Sequence, residues 1–322
     1  MKSFKTDIAV ALIFFNRPDC LKEVFRTVSQ ARPSRLYLIQ DGPRSNRPDD
    51  VKNIMLCREI VSNIDWDCEI FKDYSEVNLG CGQRIFTALT SVFNKEEYAA
   101  IIEDDIKIGE SFLPFMKEMC ERYKDDQRIQ MVGGMNHLGV YEECPYSYFF
   151  SRGGSAIWGW ATWKRCWQEL QWQLDALSEP YVSLCLNNQT WYKNMGKKLA
   201  SKGERLKHEI ESGKIPSYWS FHFGIYGYLS NRINIVPKYN LISNIGLTGD
   251  SVHAVGSIKK IPKRLRPIFY SKIFELPAPI KHPPYITDDQ FYMKKQEKIM
   301  HPALYIRVWE LIEYFFLKFL IK

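Results

Sequence analysis

Three consecutive carboxylates, Glu103, Asp104 and Asp105, directly follow the apolar run 99–102. A buried strand cannot hold uncompensated charge, so we expect these acids at the exposed carboxyl end of a strand, where open α/β sheets bind ligands. Carboxylate oxygens in that position suit a hard divalent cation that carries phosphate oxygens. The alternative is the acidic first turn of a helix that faces water.

Polar or glycine-containing loops also follow three other apolar runs. They comprise residues 16–18, 41–43 and 78–82. The carboxyl ends of parallel strands meet at one edge of a sheet, so we expect all four loops to border one ligand crevice. Neither a Walker A sequence nor a G-x-G-x-x-G sequence occurs, which argues against a P-loop or a dinucleotide-binding site.

The elements that must position these loops alternate between strands and helices. Apolar runs predict strands at residues 8–15, 35–40, 68–74, 99–102, 129–132 and 233–236, and three- and four-residue spacing predicts helices at 19–30, 49–62, 83–93, 111–123, 188–210 and 218–231. A further helix is expected from about Lys164, and a loop at 240–253. In the first half this is the βαβ pattern of an α/β fold, a mainly parallel sheet sandwiched by helices.

The composition is that of a globular chain with one large core or two modest ones, since 45% of its 322 residues are hydrophobic and 14% are aromatic. Its eight cysteines show no metal-ligand or disulfide spacing, which favours reduced thiols in the cytoplasm. The formal net charge of +7 includes a basic cluster at 259–266. Such a cluster suits either nucleic acid or anionic lipid.

The chain after residue 256 is basic and rich in proline, which predicts an extended arm, and it ends in an apolar but charge-interrupted stretch, 304–320. That stretch predicts an amphipathic helix and not a membrane span. The helix either packs on the domain, or on another subunit in a homo-oligomer, or lies on an anionic membrane. Of these partners we expect the inner face of the cell membrane, and no nucleic acid.

An aromatic and glycine-rich segment, 151–163, includes Trp158, Gly159 and Trp160. Aromatic faces pack well on sugar rings, although such a segment can equally form a tryptophan-rich core. Together with the four loops and segment 240–253, it resembles the GT-A nucleotide-sugar glycosyltransferases, a bacterial branch similar to the N-acetylglucosaminyltransferase I group. The resemblance covers residues 1–255 as a catalytic domain, with a nucleotide-binding half at 1–135 and an acceptor-side half at 136–255. The arm and terminal helix, 256–322, lie outside it.

The resemblance implies roles for individual residues. Contacts to the nucleotide or its sugar are implied for Phe14, Asn16, Arg17, Asp41, Asn78, Gly80, Arg84, Glu103, Asp104, Trp158, Gly159 and Trp219. Asp41 would accept the imide N–H of uracil, which favours UDP over other carriers. Asp105 would bind Mn²⁺ or Mg²⁺, with His253 as a further candidate ligand. An ordinary turn at Asp41 and a solvated Arg17 are the alternatives.

One departure from the relatives concerns the catalytic base. They carry a Trp-Asp pair at the start of a late helix, whereas the matching position here is Trp219-Ser220. A serine hydroxyl is too weak a base to replace that carboxylate at neutral pH. The candidate substitutes are Asp250, His222 and Glu211, although His222 could instead be a buried aromatic partner.

The sequence therefore predicts a metal-dependent, inverting glycosyltransferase. It would move N-acetylglucosamine or a related hexose from UDP to a glycan or lipid-linked acceptor during synthesis of surface polysaccharide or glycoconjugates. One alternative is a sugar-1-phosphate nucleotidyltransferase, although residues 14–18 are not its glycine- and arginine-rich phosphate loop. A second is a catalytically weak protein, descended from a transferase, that binds a nucleotide sugar or a glycan.

Overall fold

The computed structural model of the protein describes residues 1–153, 156–188, 195–214, 216, 219–247, 261–300 and 303–320. The first half contains β1 (Thr6–Phe14), α1 (Pro18–Ala31), β2 (Pro33–Gln40), α2 (Asp49–Ser62), β3 (Glu69–Tyr74), α3 (Cys81–Lys95), β4 (Tyr98–Glu103), β5 (Ile106–Ile108), α4 (Phe112–Arg122) and β6 (Ile129–Gly133). Next come β7 (Tyr148–Ser151), β8 (Trp160–Trp163), α5 (Lys164–Trp167), α6 (Pro180–Asn187), α7 (Met195–Glu211), α8 (Ser220–Leu229), β9 (Ile233–Pro237), β10 (Ile242–Asn244), α9 (Gln290–Met300) and α10 (Leu304–Leu320).

Eight strands form one sheet in the order β3-β2-β1-β4-β8-β6-β9-β7. Strands β1, β2, β3, β4, β6 and β9 run in one direction, and β7 and β8 run in the other. Helices cover the sheet, and β5 and β10 pair as a small second sheet. The predicted fold class, a mainly parallel α/β sheet between helices, is therefore confirmed.

From Ile8 to Phe14, strand β1 in the interior of the sheet is buried on both faces, as this unbroken apolar run predicts. Val10 and Leu12 pack into one core with α1 and α4, while Ala9 and Ala11 pack into a second core with α3. Helix α1 presents its apolar side to the first core. Helices α1, α3 and α4 thereby fix the carboxyl end of β1, where the first of the polar loops begins.

The predicted elements of the first half are found with ends shifted by one or two residues. The second half differs more. Strands β7 and β8 were not predicted, because four-residue strands are too short to show a period. Of the predicted helix 188–210, the described residues from Met195 onward form α7, which ends at Glu211. Helix α6 precedes that range and was not predicted, and it begins at Pro180, where Glu179 caps the backbone N–H of Val182 at 2.8 Å.

The described part of the arm packs on the sheet domain. Leu276 and Tyr292 are buried in its cores, and Glu275 accepts the backbone N–H of Ser111 at 2.7 Å. The arm includes helix α9, which was not predicted. The predicted domain boundary near residue 255 lies outside the described residues. Among the residues described, no helix is long and apolar enough to cross a membrane.

Candidate functional site

A cavity of about 520 Å³ opens at the carboxyl ends of β1, β2 and β4. Its wall contains every predicted donor contact except Gly159 and Trp219, together with the predicted metal ligand Asp105. These residues are Phe14, Asn16, Arg17, Asp41, Asn78, Gly80, Arg84, Glu103, Asp104, Asp105 and Trp158. The structure thus brings all four strand-end loops to one crevice, although what the crevice binds stays a prediction.

Arg17 joins two of the three acids. Its Nη1 donates to Asp105 Oδ2 at 3.1 Å, and its Nη2 donates to Asp104 Oδ1. Asp104 also accepts the backbone N–H of Phe15 at 3.2 Å. Burial opposes the charge of Arg17, but the two carboxylates outweigh it and raise the pKa of the guanidinium. Arg17 is therefore a fixed cation inside the cavity and not a solvated surface residue.

Burial in the cavity opposes ionisation of Glu103 and Asp105. Burial, followed by repulsion from Asp105 and Asp104, raises the pKa of Glu103 to about 8. Burial raises the pKa of Asp105 to about 6, although Arg17 opposes that shift. Glu103 aligns with Ile13 of β1, on the side of the sheet that α3 covers. A cation bound here would displace protons from these groups.

Asp41 fastens one loop of the cavity to another. Its carboxylate accepts four hydrogen bonds, from the backbone N–H groups of Gly42, Leu79 and Gly80 at 2.9 Å and from Asn78 Nδ2 at 3.1 Å. A carboxylate offers about four acceptor positions, so all of them are in use. A nucleobase N–H would compete with these bonds, and the geometry gives Asp41 a positioning role.

Gly42 is required where those two loops meet. A Cβ at residue 42 would lie 2.5 Å from the backbone carbon of Val77, which is closer than real Cβ atoms approach. Gly80, at the start of α3, has a φ of 77°, a left-handed conformation that favours glycine. The glycines of both motifs thus serve the shape of the cavity wall.

Arg84 holds the ends of β2 and β3. Its Nη2 donates to the carbonyl of Asp73 at 2.6 Å, and its Nε donates to the carbonyl of Gln40 at 3.2 Å. The side chain is buried, and it pairs with the Asp73 carboxylate at 2.8 Å. Its present contacts are structural, although it borders the cavity.

Asn16 belongs to a network that sequence reasoning missed. Its Nδ2 donates to Asp50 Oδ1 at 2.6 Å, and Arg44 binds the same carboxylate through Nε at 2.7 Å and Nη2 at 2.8 Å. The Arg44 guanidinium lies over the Phe15 ring, 5.3 Å from its centroid, and both residues line the cavity. The only sequence signal was an acidic pair at the start of α2, which is common in surface helices.

The segment after β10 passes directly beside the acids. A Cβ at Gly246 would lie 2.2 Å from Asp105 Oδ2, so only glycine lets the chain pass there. Asn244 supports this turn by accepting the Gly246 backbone N–H at 2.8 Å, and both residues line the cavity. The predicted loop 240–253 therefore contributes to the site, and it contains strand β10, which was not predicted.

The tryptophan segment divides between cavity and core. Trp158 lines the cavity and packs against Phe269 of the arm at a centroid distance of 5.5 Å. Gly159 lies behind the wall with a φ of 57°, where a Cβ would approach Ile242 to 2.8 Å. Trp219 is buried and stacks on Trp160 at 5.5 Å, so it is a core residue.

The candidate bases are not in the cavity wall as far as the structure describes them. His222 is buried, stacks on Trp172 at 4.8 Å and bonds the Trp172 carbonyl at 2.9 Å. Burial lowers its pKa, which fits a neutral core histidine. Glu211 is exposed on α7 beside Lys207, and Asp250 lies outside the described residues together with the candidate ligand His253.

The donor set of the cavity fits a hard divalent cation. Carboxylate oxygens are ligands that Mg²⁺ and Mn²⁺ prefer, and the burial that raises the pKa of Glu103 and Asp105 would be offset by a bound cation. Within the described ranges, no three His, Cys, Asp or Glu side chains form a closed metal site. A cation held by one or two carboxylates would take further oxygens from a phosphate-bearing substrate.

A second cavity, of about 400 Å³, lies on the other side of the tryptophan segment. Ser220 and Phe223 of α8 line it together with Ile157, the residue next to Trp158. The departure at Ser220 is therefore in a pocket that neighbours the acidic cavity, and not in the acidic cavity itself.

Comparisons with known proteins give structural similarity only. No protein-family model matches the chain, and no curated protein matches it in sequence. A crystal structure of S. aureus TarS 1–349 matches with 10% identity and a TM-score of 0.39, covering 75% of this chain and 59% of that one. HddC from Yersinia pseudotuberculosis matches with 10% identity and a TM-score of 0.31, covering 50% of this chain and 79% of that one. At TM-scores this low, neither match bears on the activity.

Proposed function

We propose that this chain is a metal-dependent glycosyltransferase that uses a UDP-sugar, N-acetylglucosamine or a related hexose, and inverts the anomeric carbon. The acceptor would be a glycan or a lipid-linked glycan of surface polysaccharide or glycoconjugate synthesis. The observation that carries the proposal is the acidic cavity at the carboxyl ends of β1, β2 and β4, where Glu103, Asp104 and Asp105 meet Arg17. Donor identity and inversion rest on the sequence resemblance.

The cavity supports binding of a nucleoside diphosphate in three ways. Its size suits a small-molecule ligand, since such sites usually measure about 300–1,000 Å³. Asp105 would hold Mn²⁺ or Mg²⁺, which when bound neutralises charge on the diphosphate and on the departing UDP. Phe15 and Trp158 supply ring faces in the wall, against which a base or a sugar can pack.

Calorimetric titration with UDP and UDP-sugars, in Mn²⁺ and in EDTA, tests the donor site. We expect metal-dependent binding that Asp105→Asn weakens by about 100-fold, because a lost metal ligand costs several kcal/mol. Asp49→Asn is the matched control, since Asp49 is exposed on α2, and it should bind like the wild type. Absence of binding in every condition, or equal binding by the Asp105 variant, would refute the proposal.

The second candidate function, binding without catalysis, is favoured by Ser220 at the expected base position and by the places of two predicted substitutes, since His222 is buried beside Trp172 and Glu211 is exposed on α7. Release of UDP from the UDP-sugar that binds, measured with and without glycan and lipid-linked acceptors, separates the two. Turnover abolished by Asp105→Asn supports a transferase. Tight, metal-dependent binding with no turnover under any acceptor supports a binding protein.

A further inference from the structure

Helix α10 turns both of its glutamates towards the protein. The Glu310 carboxylate pairs with Arg264, and Glu313 Oε1 accepts the backbone N–H of Lys263 at 3.1 Å. Both glutamates are partly buried, as is Ile306 on the same side. These contacts fix the helix against the 3₁₀ helix Lys263–Ile268 of the arm.

The opposite side of α10 is apolar and exposed. The exposed fractions are 67% for Trp309, 60% for Phe315 and 57% for Phe316, and Tyr305, Val308 and Ile312 are exposed beside them. At 100° per residue, these six side chains cover an arc of roughly 120°. No charged residue interrupts that arc in the part of the helix whose side chains are described.

This arrangement differs from that of an ordinary surface helix, which buries most of its large apolar side chains. An exposed apolar strip of this kind marks a surface that contacts something apolar. Its flanks decide between partners. Exposed Leu304 and Leu311 extend the strip towards Arg307, which is also exposed. Lys263 is exposed on the 3₁₀ helix and Lys294 and Lys298 on α9, whereas the two acids of α10 face inward.

We propose that α10 is an interfacial helix that docks the protein on a bilayer containing anionic lipid. Aromatic and aliphatic side chains on one side, with cations at the edge, are the composition of helices that lie in the lipid headgroup region. A second copy of the chain would instead bring the same cations face to face, which repels. This proposal does not depend on whether the cavity transfers a sugar.

Docking would also place the cavity near the membrane. The 3₁₀ helix that binds Glu310 and Glu313 is flanked by Ile261 and Phe269, and both of these residues line the acidic cavity. One short helical turn therefore separates the membrane-facing helix from the cavity wall. This arrangement suits an acceptor that is itself held in the bilayer.

Sedimentation of the full chain with vesicles tests the docking surface. Phosphatidylcholine vesicles are compared with vesicles that also contain phosphatidylserine, at low and high salt and in EDTA without nucleotide. We expect binding to the anionic vesicles to be stronger by about tenfold or more and to weaken with salt. The double variant Trp309→Glu/Phe315→Glu should lose about tenfold or more of that binding.

Tyr181→Glu is the control, because Tyr181 is a similarly exposed aromatic residue on α6. It should bind vesicles like the wild type, and thermal unfolding of all variants checks that they remain folded. Binding that ignores lipid charge, or that survives the double substitution, overturns the proposal. A dimer found by light scattering that the double variant dissolves, without vesicle binding, also overturns it and identifies a second copy as the partner.

Discussion

Arg17 is the residue on which the acidic cavity depends most. It donates to Asp104 and Asp105 at once, and it is the cation that pairs with both of these acids. A carboxylate cluster in low dielectric needs either protons or cations, and Arg17 supplies part of that charge. A divalent metal would bring two positive charges to the same acids, and a diphosphate bound to that metal would bring negative charge.

The protonated Glu103 makes stability depend on pH. Because burial, Asp105 and Asp104 raise its pKa to about 8 from an ordinary 4.5, the folded state binds the extra proton between these values. The free energy of unfolding therefore includes a full contribution from this proton below about pH 4.5. That contribution is lost as the pH rises through the folded-state pKa of about 8. Glu103→Gln, which stays neutral, should therefore unfold at a higher temperature than wild type at pH 9, with little difference at pH 5.

Thermal melts of both proteins from pH 5 to pH 9 measure this effect. Glu97→Gln is the control, since the Glu97 side chain is largely exposed, and its melts should follow those of the wild type. An unchanged difference between Glu103→Gln and wild type across the whole pH range would contradict a raised pKa.

Residue types in the site could be predicted because they stand in local motifs at strand ends. Their partners could not, because each partner comes from elsewhere in the chain. Asp41 looks like a base-binding acid in sequence, but its acceptor positions are filled by the loop after β3. Asp50 and Arg44 stand in no strand-end motif, and they join the site only because Asn16 and Arg44 both donate to the Asp50 carboxylate.

At the scale of elements, the loops after β2 and β3 act as one unit. Asp41 bonds the backbone of Leu79 and Gly80, and Gly42 lies against the backbone of Val77. The unit forms one wall of the cavity, so a change that separates the two loops should alter binding without touching the acids.

Gly42→Ala tests that unit. The new Cβ would meet backbone atoms that cannot move aside, so we expect a loss of about 2 kcal/mol in the free energy of unfolding. UDP binding should weaken with it, because the wall is displaced. Urea unfolding and calorimetric titration measure the two effects.

Gly224→Ala is the matched control, since a Cβ there meets nothing within 4 Å and α8 is helical at that residue. Alanine should keep or raise stability by up to about 1 kcal/mol and leave UDP binding unchanged. Equal behaviour of the two alanine variants would show that the loops do not depend on close contact at Gly42.

Most elements of the first half could be predicted because they are apolar runs or helices long enough to show a period, whereas the three-residue strand β5 was not predicted. Strand β1 is a continuous apolar run, and α1 has apolar residues at helical spacing on one side. The four-residue strands β7 and β8 instead depend on pairing with β9, β4 and β6, which are distant in sequence. Pairing partners of that kind carry no local signal.

At the scale of the whole molecule, the arm is part of the folded domain and α10 is an addition to it. Ile268, Leu276 and Tyr292 are buried against the sheet domain, and Asn240 Nδ2 donates to the carbonyl of Lys272 at 2.9 Å. Proline-rich sequence predicts an extended chain, but it does not show which surface that chain covers. The apolar side of α10, in contrast, is exposed and adds nothing to the cores of the domain.

Two truncations should therefore behave differently. Removing residues 301–322 should leave the unfolding temperature and UDP binding close to those of the full chain, while binding to anionic vesicles is lost. Removing residues 261–322 should lower stability by several kcal/mol, because each large apolar side chain taken from a core costs about 1.5–3 kcal/mol. It should also weaken UDP binding, since Ile261 and Phe269 leave the cavity wall. Thermal unfolding, calorimetric titration and vesicle sedimentation of both truncated proteins measure these effects. If the protein without residues 261–322 were as stable as the protein without residues 301–322, the arm would add nothing to the stability of the domain.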